Sequence, residues 1–349
     1  MRHIGVDLHK TNFVACFIEA DDTRRLETYP LTGDGLARFK RQLDASDELA
    51  VEATQNVHYF YDQVKSRVSR VAVVDTYRFG VVAKSKKKTD KADAAALARF
   101  LKLGWLPEVQ VPSEQVRTLR QLLQARETLA SLRTKLKNMA HAAFSRNGVA
   151  LRRAAFASVA SRSRLMSRDD LPAADLLVLR AALRQIEQLD SEVKALEGEI
   201  VERGKSLRSM RRLLQVHGLN LLSAVALLAE VGDITLFDTS KQLVSYAGLA
   251  TSTRQSSETT RHGGITKRGR KRLRTVVIQA VLAMVNRTET PLMEFYRKKK
   301  REKGAGKAIC ATARKLLTII FVLLKKGLDY WYLEDRLYNR KLRALNAAA

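Results

Sequence analysis

His3-Ile-Gly-Val-Asp-Leu-His9 and Asn12-Phe-Val-Ala-Cys-Phe-Ile-Glu-Ala20 are two apolar runs of strand length, separated by Lys10-Thr11. Alternation puts Ile4, Val6 and Leu8 on one face and Asp7 on the other. A third, more polar run, Arg24 to Leu31, follows, so the start of the chain predicts a three-stranded meander. Gly33-Asp-Gly35 opens a helical pattern through Leu43. Glu48 to Glu52 reads as a fourth strand, Tyr59 to Val68 as a helix and Val71 to Asp75 as a fifth strand. After the basic loop Lys84-Ser-Lys-Lys-Lys88, residues Asp90 to Leu103 carry Ala, Leu and Phe at helical spacing. The order strand, strand, strand, helix, strand, helix, strand makes this first domain mixed α/β.

The remainder reads as helical. Ser113 to Phe144 carries a leucine stripe (Leu119, Leu122, Leu123, Leu129, Leu132, Leu136). Leu179, Ile186, Val193 and Ile200 then recur every seven residues, with Ala182, Leu189 and Leu196 between them. This a/d seam predicts a coiled coil that joins protomers, with an intramolecular helix hairpin as the alternative. The expected domains are 1–110, a mixed α/β domain; 111–205, a helical linker whose coiled coil covers about 176–203; 206–335, a helical C-terminal domain; and 336–349, a frayed tail.

Lys and Arg number 63 against 36 Asp and Glu, a formal net charge of +27, and residues 261–349 alone hold +17 of it. An ordinary metabolic enzyme is thereby an unlikely class, and a polyanionic partner is the expectation. Cys16 and Cys310 are too few and too far apart for a disulfide framework or a zinc site, which fits a reducing interior. The N-terminus has no apolar run of signal-peptide length, and Leu316 to Leu324 is too short to span a bilayer. No membrane partner is expected, and the predicted location is cytoplasmic and nucleoid-associated.

Four acids stand where a metal site needs them. Asp7 lies in the first strand and Glu52 ends the fourth, while Asp90 and Asp93 project from one face at a helix start. Oxygen ligands suit Mg2+, and two such ions can stabilise both the attacking and the leaving oxygen of a phosphodiester. Singly, each acid has a plainer reading: Asp90 as a helix cap or a partner of the helix dipole, Glu52 as a surface strand end. Asp75, at the end of the fifth strand, is a rival member. The polar stretch Thr251-Ser-Thr-Arg-Gln-Ser-Ser-Glu-Thr-Thr-Arg-His-Gly-Gly264 reads by itself as a solvated loop, although Arg254, Arg261, Lys267 and Arg268 could hold a phosphate there. Leu214-Gln-Val-His-Gly-Leu-Asn220 looks like a helix-hairpin-helix turn with Asn220 in place of a second glycine, a residue that tolerates the left-handed conformation. A plain helix hairpin is the alternative.

Ile4-Gly-Val-Asp7, Val51-Glu-Ala-Thr54, Lys88-Thr-Asp-Lys-Ala-Asp-Ala94, Tyr246-Ala-Gly-Leu249, Gln255-Ser-Ser257 and Thr266-Lys-Arg-Gly-Arg-Lys-Arg-Leu-Arg274, in this order, resemble the DEDD transposases of insertion-sequence family one-ten, which include pilin-gene invertase-like recombinases. The resemblance runs from about residue 3 to about residue 330. It implies an α/β plus all-α chain: an RNase H/RuvC-like N-terminal domain, a coiled-coil helical linker and a helical C-terminal transposase domain.

The resemblance further implies that Asp7, Glu52, Asp90 and Asp93 bind Mg2+ and that Ser256 attacks DNA to form a covalent phosphoserine, the two parts making a composite active site. Ser257 stands where the family usually has Gly and is the competing nucleophile. Gln55 replaces a common Gly after Glu-Ala-Thr. Partners implied are donor and target DNA, a structured guide RNA made by the element, and further copies of the chain, as a dimer or a tetramer on DNA. Lys86, Lys87, Lys88, Arg254, Arg261, Lys267, Arg268, Arg270, Lys271, Arg272 and Arg274 are the expected nucleic-acid contacts. The competing functions are a hydrolytic RuvC-like nuclease and an architectural nucleic-acid-binding protein without catalysis.

Overall fold

The computed structural model describes residues 1–82, 89–256, 259–285 and 287–347. The chain forms two compact units, Met1–Val111 and Pro112–Ala349.

The first unit contains β1 (His3–Leu8), β2 (Asn12–Ile18), β3 (Arg24–Pro30), α1 (Gly33–Arg41), β4 (Glu48–Glu52), α2 (Val57–Val64), β5 (Arg70–Val74), α3 (Thr76–Val82) and α4 (Asp90–Lys102). Its sheet has the order β3-β2-β1-β4-β5. The meander β1–β2–β3 is antiparallel, whereas β1–β4 and β4–β5 are parallel, as their helical crossovers require. The two sheet faces differ in bulk. One carries Ile4, Val6, Phe13, Phe17 and Tyr29 against Leu36 and Phe39 of α1 and Val57, Phe60 and Val64 of α2. There the Phe13 ring meets Phe39 and Phe60 edge-on, each at 5.1 Å between centroids.

The other face is lined by small residues. Ala50 and Ala72 meet Leu97 and Leu101 of α4, and Ala94 and Ala98 of the same helix pack on Val14, Cys16 and Ile18. At its centre is Gly5: a Cβ there would lie 2.1 Å from the Ala94 carbonyl oxygen and 2.3 Å from the Ala98 nitrogen. Only glycine permits this approach of helix backbone to strand. Thr89 caps α4 by accepting a hydrogen bond from the Ala92 amide.

The second unit contains α5 (Glu114–Arg146), α6 (Val159–Met166), α7 (Ala173–Gly204), α8 (Met210–Leu214), α9 (Leu221–Val231), α10 (Ser240–Tyr246), β6 (Thr251–Ser256), β7 (Thr259–Ile265), α11 (Lys271–Met284), α12 (Pro291–Lys303), α13 (Ala305–Lys326) and α14 (Asp335–Ala347). Helices α5 and α7 run antiparallel, tied by Arg126–Glu197, Arg133–Asp190 and Arg146–Asp175. The heptad residues Leu179, Ala182, Ile186, Val193 and Ile200 are buried within this one chain. Leu119 and Leu123 join Ile200 and Val201 in the main helical core, and Ala140 and Phe144 join Leu179 and Ala182 in a smaller one. The seam expected to join protomers is therefore covered by α5 of the same chain.

Three further local expectations change. The polar stretch after Ala250 is a two-stranded antiparallel ribbon, β6–β7, because its Thr-rich residues suit strands and pair from Thr251–Ile265 to Ser256–Thr259. Asn220 is extended (φ −100°, ψ −179°), not left-handed; its side chain caps α9 in a reciprocal pair with Ser223, and Gly218 supplies the positive φ of the turn. The expected frayed tail is helical. Leu345 is buried, Tyr338 and Leu342 pack on the core, and Lys341 donates to the carbonyls of Leu214 and Val216. Burial pushes the Lys341 ammonium down to about 8. Among the described residues no helix is long and apolar enough to cross a membrane.

Gly5→Ala is expected to destabilise the first unit by about 1–3 kcal/mol, the usual cost of overpacking. Hydrogen exchange should lose protection in β1 and α4 while α9 and α11 keep theirs; unchanged β1 protection would show that this approach does not hold α4 to the sheet.

Candidate functional site

The register of the parallel pair β1–β4 aligns Val6 with Val51, so Asp7 and Glu52 follow next on neighbouring strands. The pleat turns both to the face that carries α4. Asp7 is 9% exposed, Glu52 half-buried. Asp90 and Asp93 lie in the first turn of α4, where the helix dipole favours carboxylates. Thr89, not Asp90, caps α4, so of the two plainer readings of Asp90 the cap falls and the dipole partner stands. Asp75, by contrast, accepts hydrogen bonds from the amides of Tyr77 and Arg78 and so caps the start of α3.

His9 completes the arrangement, two residues after Asp7 and on the same side of the chain. Its Nε2 lies 3.1 Å from Asp90 Oδ2 and 3.4 Å from Asp7 Oδ2. That nitrogen is buried and has no hydrogen-bond partner; the two contacts are close but are not directed as hydrogen bonds. One donor atom each from Asp7, His9 and Asp90 lies within 4.8 Å of the others. Donors held at about 2.1–2.4 Å from a common divalent cation are separated by comparable distances, so the trio fits a single ion. The structure thus brings Asp7 and Asp90 together. Glu52 sits one strand away and Asp93 one turn further along α4, and neither belongs to the trio. His9 carried no signal in the sequence beyond its position two residues after the first acid. The chain around it is fixed by Asn56 Nδ2, which donates to the His9 carbonyl at 3.3 Å.

In the second unit, Tyr246 to Leu249 and Thr266 to Arg274 form the base of the β6–β7 ribbon. The Lys267 and Arg270 amides donate to the carbonyls of Gly248 and Tyr246. A Cβ on Gly269 (φ +125°) would lie 2.3 Å from the Tyr246 oxygen, and one on Gly248 (φ +68°) 2.6 Å from the Arg268 oxygen. Ser256 ends β6, paired with Thr259. Arg254 and Arg261 are backbone partners in the ribbon register. Ser257, Lys86, Lys87 and Lys88 lie outside the described residues.

The arginines of this region divide by role. Arg272 is held by Glu127 and Glu230, each at 2.6 Å, and Glu230 is 3% exposed. Burial works against the Arg272 charge, but bonding to Glu127 and attraction from Glu230 outweigh it and raise its pKa. Arg274 donates to the carbonyls of Ala247 and Lys267, and Arg270 to the Tyr246 hydroxyl. Lys267, Arg268 and Lys271 are exposed. A further basic groove of about 460 Å³, between α10, α12 and α13, is lined by Lys241, Lys299, Lys303, Lys307, Arg314 and Lys315. Sequence reasoning stopped at Arg274 and missed it. The available signal was the run Lys298-Lys-Lys-Arg301 with Lys303, on a helix otherwise poor in acids.

Residues 210–297 match the model of the "Transposase IS116/IS110/IS902 family", and residues 4–146 match a transposase model of the DEDD type from the same IS110 group. Similar proteins include the "Probable family 20 transposase" of Pseudomonas aeruginosa, 26% identical over 81% of this chain and 85% of that protein. The "Transposase for insertion sequence element IS1111A" of Coxiella burnetii is 26% identical over 70% and 68% of the two chains. The "Pilin gene-inverting protein" of Moraxella bovis is 26% identical over 93% and 96%. The two family matches together span more than half of the 349 residues, and the chain belongs to the IS110 family of transposases, enzymes of DNA transposition and recombination that depend on a divalent metal.

Proposed function

We propose that this transposase cuts and rejoins the DNA strands of an insertion sequence through a serine nucleophile assisted by Mg2+ at Asp7, Glu52, Asp90 and Asp93. The observation that carries the reading is the convergence of Asp7 and Asp90 at the exit of β1, on a sheet whose order β3-β2-β1-β4-β5 we take as RNase H/RuvC-like. When bound, the metal supplies charge neutralisation at the scissile phosphate. Ser256 Oγ attacks phosphorus and gives up its proton. The P–O bond to one sugar breaks, that sugar leaves as a hydroxyl, and the other strand end stays on the serine as a phosphodiester. Reversal of the step with a different sugar hydroxyl rejoins the strands with no nucleotide cofactor.

DNA is held through its backbone by the exposed bases Lys267, Arg268 and Lys271 and by the lysine groove of α12 and α13. From the resemblance of the motifs we further infer a structured guide RNA that chooses target and donor by base pairing, and an assembly of several copies on DNA. A hydrolytic nuclease, the competing reading, needs no serine.

A suicide DNA substrate is expected to leave DNA covalently attached to the wild type and not to Ser256→Ala, read by a denaturing gel. Adduct formed by both Ser256→Ala and Ser257→Ala would sink the serine assignment.

Asp7→Ala should slow strand cleavage by at least about a hundred-fold, the scale of losing one group that stabilises charge in the transition state, with DNA binding retained. An architectural protein would lose nothing.

Neutralising Lys299, Lys303 and Lys307 together should flatten the slope of log affinity against log salt by about 2 to 3, given roughly 0.9 per phosphate contact. An unchanged slope in a filter-binding series removes the groove from the DNA path.

A further inference from the structure

We propose that His9 is a nitrogen ligand of the divalent ion, so that the site in this chain has mixed nitrogen and oxygen donors. The inference rests on the reading of Asp7 and Asp90 as metal ligands. Three observations carry it. The Nε2 atom lies within 3.4 Å of carboxylate oxygens from two separate elements, β1 and α4. It is buried and makes no hydrogen bond, as expected of a nitrogen whose lone pair is directed at a cation and not of one that donates to a carboxylate. Its backbone is pinned, because the carbonyl of His9 accepts from Asn56 and that of Leu8 from Thr54.

The chemical consequence is selectivity. Mg2+ prefers an all-oxygen shell and retains water, whereas imidazole suits first-row transition ions. A neutral ring adds a donor without adding negative charge, so it favours the softer ion over Mg2+ in competition while leaving the carboxylates free to hold either. His9 therefore sets how strongly the site prefers Mn2+ to Mg2+.

Mn2+ bound to the full-length protein is the probe. Pulsed electron paramagnetic resonance is expected to show 14N modulation from a coordinated imidazole, and calorimetry to show a Mn2+ site lost in Asp7→Asn and Asp90→Asn. In His9→Ala the 14N signal disappears and Mn2+ affinity falls about ten-fold or more, a typical cost of disturbing a metal's ligand sphere, while Mg2+ affinity falls by a smaller factor. His9→Asp, which restores an all-oxygen set, loses the 14N signal and keeps Mg2+ binding; it guards against a fold defect in the alanine variant. Mn2+ bound at the Asp7 site without 14N modulation overturns the role of His9 and leaves the carboxylate site intact. Modulation that persists in His9→Ala comes from another of the 6 histidines and also overturns it. Mn2+ binding indifferent to Asp7→Asn and Asp90→Asn overturns the metal reading of Asp7 and Asp90 itself.

Discussion

Everything at the candidate metal centre depends on the absence of one side chain. Gly5 lets the backbone of α4 come within contact of β1, and Ala94, Ala98, Ala50 and Ala72 keep the rest of that face shallow. The opposite face is filled by the aromatic cluster of Phe13, Phe17, Tyr29, Phe39 and Phe60. This asymmetry has a purpose in geometry. A side chain at position 5 would push α4 off the sheet, because its Cβ would meet the backbone of Ala94 and Ala98, and the first turn of α4 would move away from the end of β1. With the shallow face, the first turn of α4 brings Asp90 to Asp7 of β1 and to His9 just beyond it. The core of the first unit and its chemistry are thus set by the same small residues.

The second unit uses its most family-like residues differently. Tyr246 to Leu249 and Thr266 to Arg274 bond to one another and present the β6–β7 ribbon, with Gly248 and Gly269 at positions where a Cβ would collide with backbone. Arg272 and Arg274, read from sequence as phosphate contacts, make their bonds inward, to Glu127 and Glu230 and to the carbonyls of Ala247 and Lys267. A buried acid such as Glu230 needs a fixed cation beside it, since an unpaired charge there costs several kcal/mol. Short basic motifs therefore mix groups that hold the scaffold with groups that remain exposed, and sequence spacing does not separate them.

What could be read in advance follows the same physics. Short apolar runs of strand length marked the strands of the first unit, the third of them weaker and more polar, and Asp7 stood out because alternation sets this acid on the strand face opposite Ile4, Val6 and Leu8. Asp90 reads from sequence as a cap, a dipole partner or a ligand, and the fold removes only the first of these, because Thr89 is the cap. His9 was illegible, because a histidine after Leu8 has no pattern of its own; only the fold of α4 over β1 gives it neighbours. The heptads of α7 were legible as a seam, but periodicity does not say whether the covering helix comes from the same chain, and α5 supplies it here. The ribbon was hidden by its polarity: the stretch from Thr251 to Gly264 is rich in Ser, Thr and Arg, so no apolar alternation marks it in the sequence.

The distribution of charge then separates two tasks. A phosphodiester is repelled by a cluster of carboxylates and attracted by a basic surface, and the sequence largely separates the two: the candidate ligands lie before residue 94, with only the short basic run Lys84 to Lys88 beside them, and +17 of the +27 lies after residue 260. Affinity for the polyanion can therefore arise without the acids, from exposed lysines and arginines that release counterions. The acids become hospitable to phosphate only when a divalent cation reverses the sign of the local field. Binding and cutting are in this sense independent, and the metal is the link between them. A nitrogen donor among the carboxylates adjusts that link, because it alters which cation reverses the field without changing the surface that holds the strand.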